Sequence, residues 1–204
     1  MRVLVTAGPT LEPIDPVRFI SNRSSGRMGY AIAEALVASG HDVVLISGPV
    51  ALSPPEEAQV VLVETANEML RACQEEWPTC QALVAAAAVA DWRPGKMSQT
   101  KLDSDQSSHL SLVANPDILA VLAEEKAGRL VVGFALQDQA AEEKARAKMQ
   151  KKGMDWVVLN GLEVQGSLSA EVVLIGAGGI REEFGPSPKA VLAEDLVRRL
   201  FSKS

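Results

Sequence analysis

Short apolar runs rich in β-branched residues alternate along this chain with segments of helical periodicity, and this alternation restricts the fold more than any other feature. The runs that we predict as strands are residues 2–6, 42–47, 59–63, 82–86, 130–134, 156–159 and 171–175. A helical pattern separates most of them. Alternation of this kind is typical of a parallel sheet that helices cover on both sides. The sequence therefore predicts an α/β fold, Rossmann-like, with a mostly parallel sheet and helices on both faces.

Residue types that begin and end helices mark the predicted helices. The helix at 26–39 has apolar residues at helical spacing and stops at Gly40, a residue that readily ends helices. Thr65 and Glu68 form a capping-box pattern before a helix at 66–76. The remaining helices are expected at 116–127, 139–152 and 188–202. The first of these begins with a proline after Asn115, and the last begins with a proline after Ser187, so both asparagine and serine are predicted caps.

Composition restricts the class of protein. The chain has 204 residues, of which 47% are hydrophobic and 23% charged, enough to form a buried core in one domain over 1–204. Its 20 Lys and Arg against 26 Asp and Glu give a net charge of −6, which argues against a surface that binds nucleic acid. An anionic ligand must therefore bind in a local basic pocket.

Sequence signals for membranes and export are weak. The longest apolar run, residues 82–90, is far shorter than the roughly 20 residues that cross a bilayer. The apolar run at the N-terminus is too short for a secretory signal. Cys73 and Cys80 lack the spacing of a metal site or a disulfide framework, which fits a reducing compartment. We expect a cytoplasmic protein that does not bind membranes.

Two long stretches without a clear period, residues 7–25 and 91–108, each follow a predicted strand. Loops of more than about 12 residues are commonly functional, and folds of this class bind ligands beyond the carboxyl ends of their strands. The first stretch enters a helix through Ser24, Ser25 and Gly26, where backbone N–H groups and the helix dipole favour a phosphate. An ordinary helix cap beside solvated arginines explains the same residues equally well.

A nicotinamide-dependent reductase is disfavoured by the residues themselves. Gly8, Gly26 and Gly29 do not have the GxGxxG spacing of a dinucleotide fingerprint. The only tyrosine, Tyr30, is followed four residues later by Glu34, where short-chain reductases carry a lysine. This class remains the main enzyme alternative, because a fold of this type does not by itself fix the chemistry.

The stretch TAGPTLEPIDPVRFISNRSSGRMG at 6–29 resembles the signature of the phosphopantothenoylcysteine synthetase family. Further segments resemble that family in the same order: AAVADWRP at 87–94, NPDIL at 115–119, VGFAL at 132–136 and KKGMDWVVLN at 151–160. The resemblance implies a ligase that joins 4'-phosphopantothenate to L-cysteine in coenzyme A biosynthesis. It also implies CTP as the nucleotide, Mg²⁺, and an acyl-cytidylate intermediate that the cysteine amine attacks.

The resemblance further implies partners. We expect a homodimer, no nucleic-acid partner, and association with a phosphopantothenoylcysteine decarboxylase, whose flavin-binding domain we do not find within residues 1–204. Use of ATP instead of CTP remains open, because eukaryotic members use ATP.

Three residues are expected to be catalytic from the same resemblance. Asn22 matches an asparagine that supports formation and turnover of the acyl-nucleotide, and its neutral amide suits a developing oxyanion. Arg18 matches an arginine that orients phosphopantothenate, and Lys101 matches a lysine that contacts the nucleotide. By residue type alone, an asparagine that bonds a tight turn is the more common case for Asn22.

The other expected binding residues follow the matched segments. For CTP they are Gly8, Ser24, Ala87, Asp91, Lys101, Asn115, Pro116, Asp117, Ile118, Phe134, Lys148 and Lys152. For phosphopantothenate they are Arg18, Asn22, Ser25, Gly26 and Ala88. The resemblance places the base against Phe134 and the triphosphate near Lys148 and Lys152. By spacing alone, Lys144, Lys148 and Lys152 favour a solvated helix face, and the magnesium ligands stay unassigned.

Two segments depart from the family pattern. KLDS at 101–104 has Asp103 and Ser104 where the family carries lysines, and the stretch after Asn160 is shorter than the family's glycine-rich flap and lacks its phenylalanine. These departures keep open a non-catalytic, nucleotide-binding domain of the same fold.

Overall fold

The computed structural model describes residues 1–103, 109–136, 141–161 and 168–202. Its strands are β1 (Arg2–Ala7), β2 (Leu11–Pro13), β3 (Phe19–Ser21), β4 (Asp42–Ser47), β5 (Gln59–Leu62), β6 (Ala82–Ala85), β7 (Trp92–Pro94), β8 (Leu112–Ala114), β9 (Leu130–Leu136), β10 (Trp156–Asn160), β11 (Ser169–Gly176) and β12 (Arg181–Pro188). Its helices are α1 (Arg27–Ala38), α2 (Ala66–Glu76), α3 (Ile118–Glu124), α4 (Ala141–Lys151) and α5 (Lys189–Phe201).

An eight-stranded sheet lies at the centre, in the order β12-β11-β10-β9-β6-β1-β4-β5. Six neighbouring strands of this sheet, β10, β9, β6, β1, β4 and β5, pair in parallel. Parallel pairing requires long connections between the strands. β11 pairs antiparallel with both β10 and β12, and the β11–β12 turn passes through Gly178 and Gly179, both with positive φ. The predicted α/β fold with a mostly parallel sheet is confirmed.

Buried apolar side chains form a core layer on each face of the sheet. Side chains alternate along β1, so Val3 and Val5 pack with α1 and α5, whereas Leu4 faces the layer formed with α2, α3 and α4. Because β1, β4, β5, β6, β9 and β10 are parallel, their carboxyl ends lie at the same edge of the sheet, between the two helix layers.

The two long stretches contain hairpins, which the sequence did not predict. β2 pairs with β3 and β7 pairs with β8, both antiparallel, and β2 contacts β7. We call residues 11–21, 92–103 and 109–114 the arm. Strands of three residues are too short to show a period, which is why the pattern missed them. Large apolar side chains of the arm are exposed: Val17, Phe19, Trp92, Met97, Leu110, Leu112 and Val113.

Helix boundaries test the capping predictions. The Thr65–Glu68 capping box is confirmed, and α2 has the predicted bounds. The Asn115 cap was wrong: α3 begins at Ile118, and Asp117 caps it by accepting a hydrogen bond from the Ala120 amide at 3.1 Å. α3 also ends earlier than predicted, at Glu124.

The predicted Ser187 cap was also wrong. Ser187 and Pro188 belong to β12, and α5 begins at Lys189, one residue after the predicted start, with no side-chain cap. β12 is an edge strand with charged residues and Pro186, a composition that protects an edge from pairing but hides the strand pattern. Of the predicted helix at 139–152, residues 139 and 140 lie outside the described residues.

Cys73 and Cys80 are free thiols in the core. Burial raises the pKa of Cys73 to about 12, which keeps its thiol protonated and unreactive. In the part of the chain that the structure describes, no helix combines the length and apolar character that a membrane span needs.

Candidate active site at the carboxyl edge of the sheet

A cavity of about 610 Å³ opens at the carboxyl edge of the parallel strands. Its wall comes from the segment before α1, the loop after β6, the start of α3, the ends of β9 and β10, and α4. Segments far apart in sequence meet here because parallel strands end at the same edge. The predicted site residues that line it are Asn22, Ser24, Ser25, Gly26, Ala87, Ala88, Asp91, Asn115, Pro116, Asp117, Ile118, Phe134, Lys148 and Lys152.

The start of α1 forms one side of the cavity. Gly26 is its N-cap with φ 75°, and no side chain hydrogen-bonds there as a cap. A Cβ on Gly26 would lie 2.7 Å from Val50 Cγ1. Both the positive φ and this close approach favour glycine at position 26. Gly8 packs directly behind Gly26 without lining the cavity. The N–H groups of the first turn are thus uncapped by side chains, which favours the anion-cradle interpretation over the ordinary helix cap.

Asn22 connects the segment before α1 to the loop after β6. Its Nδ2 donates to the Ala88 carbonyl at 3.0 Å and to the Val89 carbonyl at 3.1 Å. Both amide hydrogens therefore hold the backbone of the facing wall, while the side chain lines the cavity. Asn22 orients this loop as well as facing the ligand space.

The loop after β6 brings backbone close to the cavity. Its amides are held by the segment that follows β1: Ala88 N–H donates to Gly8 O at 2.9 Å, and Ala90 N–H donates to Thr10 Oγ1 at 3.0 Å. The small side chains of Ala87 and Ala88 leave room for a ligand beside the backbone.

Asn115 and Asp117 support the opposite wall. Asn115 Nδ2 donates to the Ala90 carbonyl at 2.8 Å, and its Oδ1 accepts from Arg93 at 3.0 Å, so it fixes the loop after β6 rather than capping a helix. Asp117 forms an ion pair of 2.5 Å with Lys152. Burial acts to raise the pKa of Asp117, but hydrogen bonds from Lys152 and the Ala120 amide outweigh it, and the pKa is lowered.

Lys148 and Lys152 bring two positive charges to the cavity, whereas Lys144 is exposed and outside it. Burial lowers the pKa of Lys148, and the charge of Lys152 lowers it further, against the opposing charges of Asp117 and Asp91. Of the three lysines at helical spacing, only Lys144 therefore fits the interpretation as a solvated helix face. A polyanion beside the other two would relieve both their burial and their mutual repulsion.

Phe134 and Asn160 line the cavity from the ends of β9 and β10. Phe134 pairs with Val158 across the two strands, and Asn160 lies two residues further along β10, so the two side chains share one sheet face. The Asn160 Oδ1 atom is buried and has no hydrogen-bond partner among the described residues. It offers an acceptor to a ligand.

Arg18 and Lys101 are not among the cavity-lining residues; the structure places both in the arm. Arg18 Nε donates to Asp15 Oδ2 at 2.9 Å, and Arg18 Nη2 donates to the Leu102 carbonyl at 2.5 Å. The Leu102 amide donates to the same carboxylate at 3.1 Å. Lys101 is exposed beside this network. Two of the three predicted catalytic residues thus lie together, apart from the third.

Three polar residues of the wall were not among the predicted site residues: Arg27, Asn160 and Lys189. Arg27 and Lys189 are the first residues of α1 and α5. A cation at a helix N-terminus opposes the dipole, and this signal was readable wherever the helix start was predicted correctly. The helix predicted at 188–202 likewise places Lys189 in its first turn.

No group of three His, Cys, Asp or Glu side chains within residues 1–103, 109–136, 141–161 and 168–202 is arranged to hold a metal ion. Asp91 and Asp117 are the two carboxylates among the residues that line the cavity, and Lys152 already binds Asp117.

The family is decided by comparison with known proteins. A family model described as the DNA/pantothenate metabolism flavoprotein C-terminal domain matches residues 1–203. The chain belongs to this family. The resemblance that the motifs indicated to the coenzyme A biosynthesis synthetases is confirmed.

Individual relatives agree with the family match. The crystal structure of the C-terminal domain of Coenzyme A biosynthesis bifunctional protein CoaBC has a TM-score of 0.84 and 37% identity, covering 97% of this chain and 92% of that one. CoaBC of Vibrio vulnificus (strain CMCP6) is 37% identical over 97% of this chain and 51% of its own length. A cysteine/cysteine sulfinic acid decarboxylase of an unknown prokaryotic organism is 38% identical over 98% of this chain and 58% of its own length. The chain spans about half the length of these curated relatives.

Proposed function

We propose that this chain is a phosphopantothenate–cysteine ligase domain of coenzyme A biosynthesis, and that CTP activates the substrate as an acyl-cytidylate. The observation that carries the proposal is the meeting of Asn22, Asp91, Asp117, Lys148 and Lys152 around one cavity. These residues come from distant segments. Asn22 provides a neutral amide, and the four cations that line the cavity, Arg27, Lys148, Lys152 and Lys189, outnumber its two carboxylates, as two anionic substrates need.

The reaction joins two anions before the amine reacts. A carboxylate oxygen of phosphopantothenate attacks the α-phosphorus of the nucleotide, and the bond from that phosphorus to the pyrophosphate oxygen breaks. The neutral cysteine amine then attacks the acyl carbon, nucleoside monophosphate leaves, and the amine proton passes to solvent. Lys148 and Lys152 beside the triphosphate reduce the repulsion and hold the reacting groups in line.

Asn22 acts at the substrate carboxyl group. Its two amide hydrogens are held by the carbonyls of Ala88 and Val89. We propose that the substrate exchanges with one carbonyl and accepts that hydrogen as charge develops. The neutral amide does so without repelling the carboxylate.

Mg²⁺ fits this site as an ion held mainly by phosphate oxygens. Such an ion needs few protein ligands and keeps several waters, which agrees with two cavity carboxylates rather than a cluster of three among the described residues. Asp91 is the residue that would hold it. When bound, Mg²⁺ neutralises charge on the triphosphate.

The arm is proposed as the contact surface of a homodimer. It exposes Phe19, Trp92 and Leu112 and also contains the Arg18 network, and exposed apolar patches mark protein contacts. In this arrangement Arg18 and Lys101 serve the cavity of the partner subunit. Mixing inactive Arg18→Gln and Asn22→Asp variants should then restore at most about a quarter of wild-type activity, because mixed dimers contain one intact site. Light scattering that finds a monomer would contradict the dimer.

The ligase is tested by mixing the protein with phosphopantothenate, cysteine, Mg²⁺ and either CTP or ATP, and following pyrophosphate. We expect release that requires the first substrate and is faster with CTP. If no pyrophosphate is released with either nucleotide, the ligase activity is overturned. CTP binding without release would favour the non-catalytic domain, nicotinamide binding would favour the reductase, and CO₂ release from cysteine would favour the activity named for the decarboxylase relative.

A further inference from the structure

Glu12 is a carboxyl group that is almost fully removed from water and is not among the cavity-lining residues. It lies in β2 with an exposed fraction of 1%. Its Oε1 accepts a hydrogen bond at 2.9 Å from the amide of Ala66, the fully buried first residue of α2. Next to this contact, the Leu11 amide donates to the Glu64 carbonyl at 2.8 Å. Because burying a carboxyl group is costly unless hydrogen bonds replace its hydration, this side chain ties β2 firmly to the start of α2.

The segment that is fixed at α2 also holds the cavity wall. We call residues 9–12 the arm root, since the arm begins within them. Thr10 is fully buried; its Oγ1 accepts from the Ala90 amide at 3.0 Å, and its own amide donates to the Ala88 carbonyl at 3.4 Å. The same Ala88 carbonyl accepts a hydrogen bond from Asn22. The arm root therefore lies between α2 and the loop that orients Asn22.

We propose that Glu12 is a positioning residue for the phosphopantothenate end of the reaction. The inference rests on the proposed function, in which Asn22 and Arg18 act on that substrate. Moving the arm root would displace the Ala88 carbonyl that holds Asn22 and, because β2 belongs to the arm, would also displace Arg18. Glu12 touches neither substrate and acts only through the arm root.

The test is Glu12→Ala, measured by steady-state pyrophosphate release and by calorimetry with CTP. The Ala66 amide loses its acceptor, and the arm root loses its tie to α2. We expect kcat/KM for phosphopantothenate to fall about 10- to 100-fold, since small misplacements of reacting groups have effects of this size. The Kd for CTP should change by less than about threefold, because Lys148 and Lys152 reach the cavity from α4 and its C-terminal end. Equal losses for both substrates, or none for phosphopantothenate, would contradict the proposal.

Glu68→Ala is the matched control, because it removes a second carboxylate from the start of the same helix. Glu68 Oε2 accepts from the amides of Glu64 at 2.7 Å and Thr65 at 3.1 Å. Its loss should weaken α2 but leave kcat/KM for phosphopantothenate near wild type. A loss as large as that of Glu12→Ala would mean that Glu12 acts only through the stability of α2. Glu12→Gln keeps an acceptor at the same length and should recover most of kcat/KM, and a Gln variant as slow as the Ala variant would exclude the acceptor role.

Thr10→Val tests the same link from the other end, with Glu12 intact. The change removes the Oγ1 atom that accepts from the Ala90 amide. It should reproduce the selective loss in kcat/KM for phosphopantothenate, and the double variant should be no slower than the slower single variant, because effects that pass through one link do not add. A wild-type rate for Thr10→Val, or losses that multiply, would count against the arm root as that link.

Hydrogen exchange at the Ala90 amide tests the anchoring without the reaction. In Glu12→Ala this amide should exchange about 10-fold faster than in wild type, and in Glu68→Ala it should not. Unchanged exchange at Ala90 in Glu12→Ala would overturn the positioning role. If the wild-type protein releases no pyrophosphate but exchange at Ala90 responds as expected, the ligase is overturned and the anchoring of the cavity wall by Glu12 stands.

Discussion

The arm and the cavity wall both concentrate charged side chains, but they satisfy them differently. In the arm, Asp15 is buried and accepts hydrogen bonds from the Val17 and Arg18 amides, the Leu102 amide and the Arg18 side chain. In the cavity wall, Lys148 and Arg27 face open space. Within the described residues the Asp15 network is complete, whereas the Lys148 and Arg27 side chains make no hydrogen bond or ion pair.

This difference separates cations that hold structure from cations that are ready for a ligand. Arg18 organises the arm whatever else it does, since its side chain joins Asp15 to Leu102. In the part of the chain that the structure describes, Lys148 and Lys152 make no comparable link between distant loops beyond the contact with Asp117. Variants in the cavity should therefore affect rates and binding, and variants in the arm network should first affect stability.

The largest effect is expected for Asn22→Asp in the cavity wall. A carboxylate there would face the Ala88 and Val89 carbonyls that now accept hydrogen bonds, and it would repel the substrate carboxylate. We expect kcat to fall by about 100-fold or more, measured as pyrophosphate release. Asn67→Asp, the same change on α2 outside the cavity wall, is the control and should be near wild type. A near-normal rate for Asn22→Asp would remove Asn22 from the mechanism.

A smaller effect is expected for Lys152→Gln. The change removes one contact to the triphosphate and leaves Asp117 without its ion pair beside an anionic ligand. The KM for CTP should rise about 10- to 100-fold, while the KM for cysteine changes little. Lys144→Gln, on α4 about two turns before Lys152, is the matched control. Equal effects of both variants would mean that these lysines act on CTP only through long-range charge.

The fold was largely predictable because its signals are local and repeated. Buried parallel strands are apolar runs, and helix α2 carries its own capping box. The strands β2, β3, β7 and β8 were missed since pairing between distant short segments, not local pattern, creates them. β12 was missed because an edge strand can carry charge and proline.

The candidate site divides in the same way. The motif residues that line the cavity were found through a family resemblance, which encodes a three-dimensional neighbourhood. Arg27 and Asn160 lie inside matched segments but were not assigned to the site, and Lys189 lies outside those segments. That the three share one wall depends on how distant elements pack. The location of Arg18 in a network with Asp15 and Leu102 likewise depends on contacts between residues far apart in sequence.

A change in the arm should lower stability more than it lowers binding. Asp15→Asn replaces one carboxylate oxygen by an N–H donor, although four hydrogen bonds from Val17, Arg18 and Leu102 require acceptors on both oxygens. We expect Tm to fall by several degrees in thermal unfolding, with a smaller rise in the KM for CTP than Lys152→Gln causes. Asp195→Asn removes a carboxylate from an exposed ion pair on α5 and should leave Tm almost unaltered. A Tm equal to wild type for Asp15→Asn would show that the arm network does not stabilise the fold.

The smallest effect is the acid dependence of that same network. Burial acts to raise the pKa of Asp15, but the hydrogen bonds from Val17, Leu102 and Arg18 outweigh it, and the pKa is lowered from 3.8 to about 2. Between these values the unfolded chain binds the proton and the folded chain does not, so the stability due to Asp15 is present above pH 3.8 and is lost as the pH falls towards 2. Urea unfolding across this range should show a steeper loss for wild type than for Asp15→Asn. Parallel curves would mean that the Asp15 carboxylate is no better stabilised in the folded arm than in water, and the arm would then resemble the cavity wall.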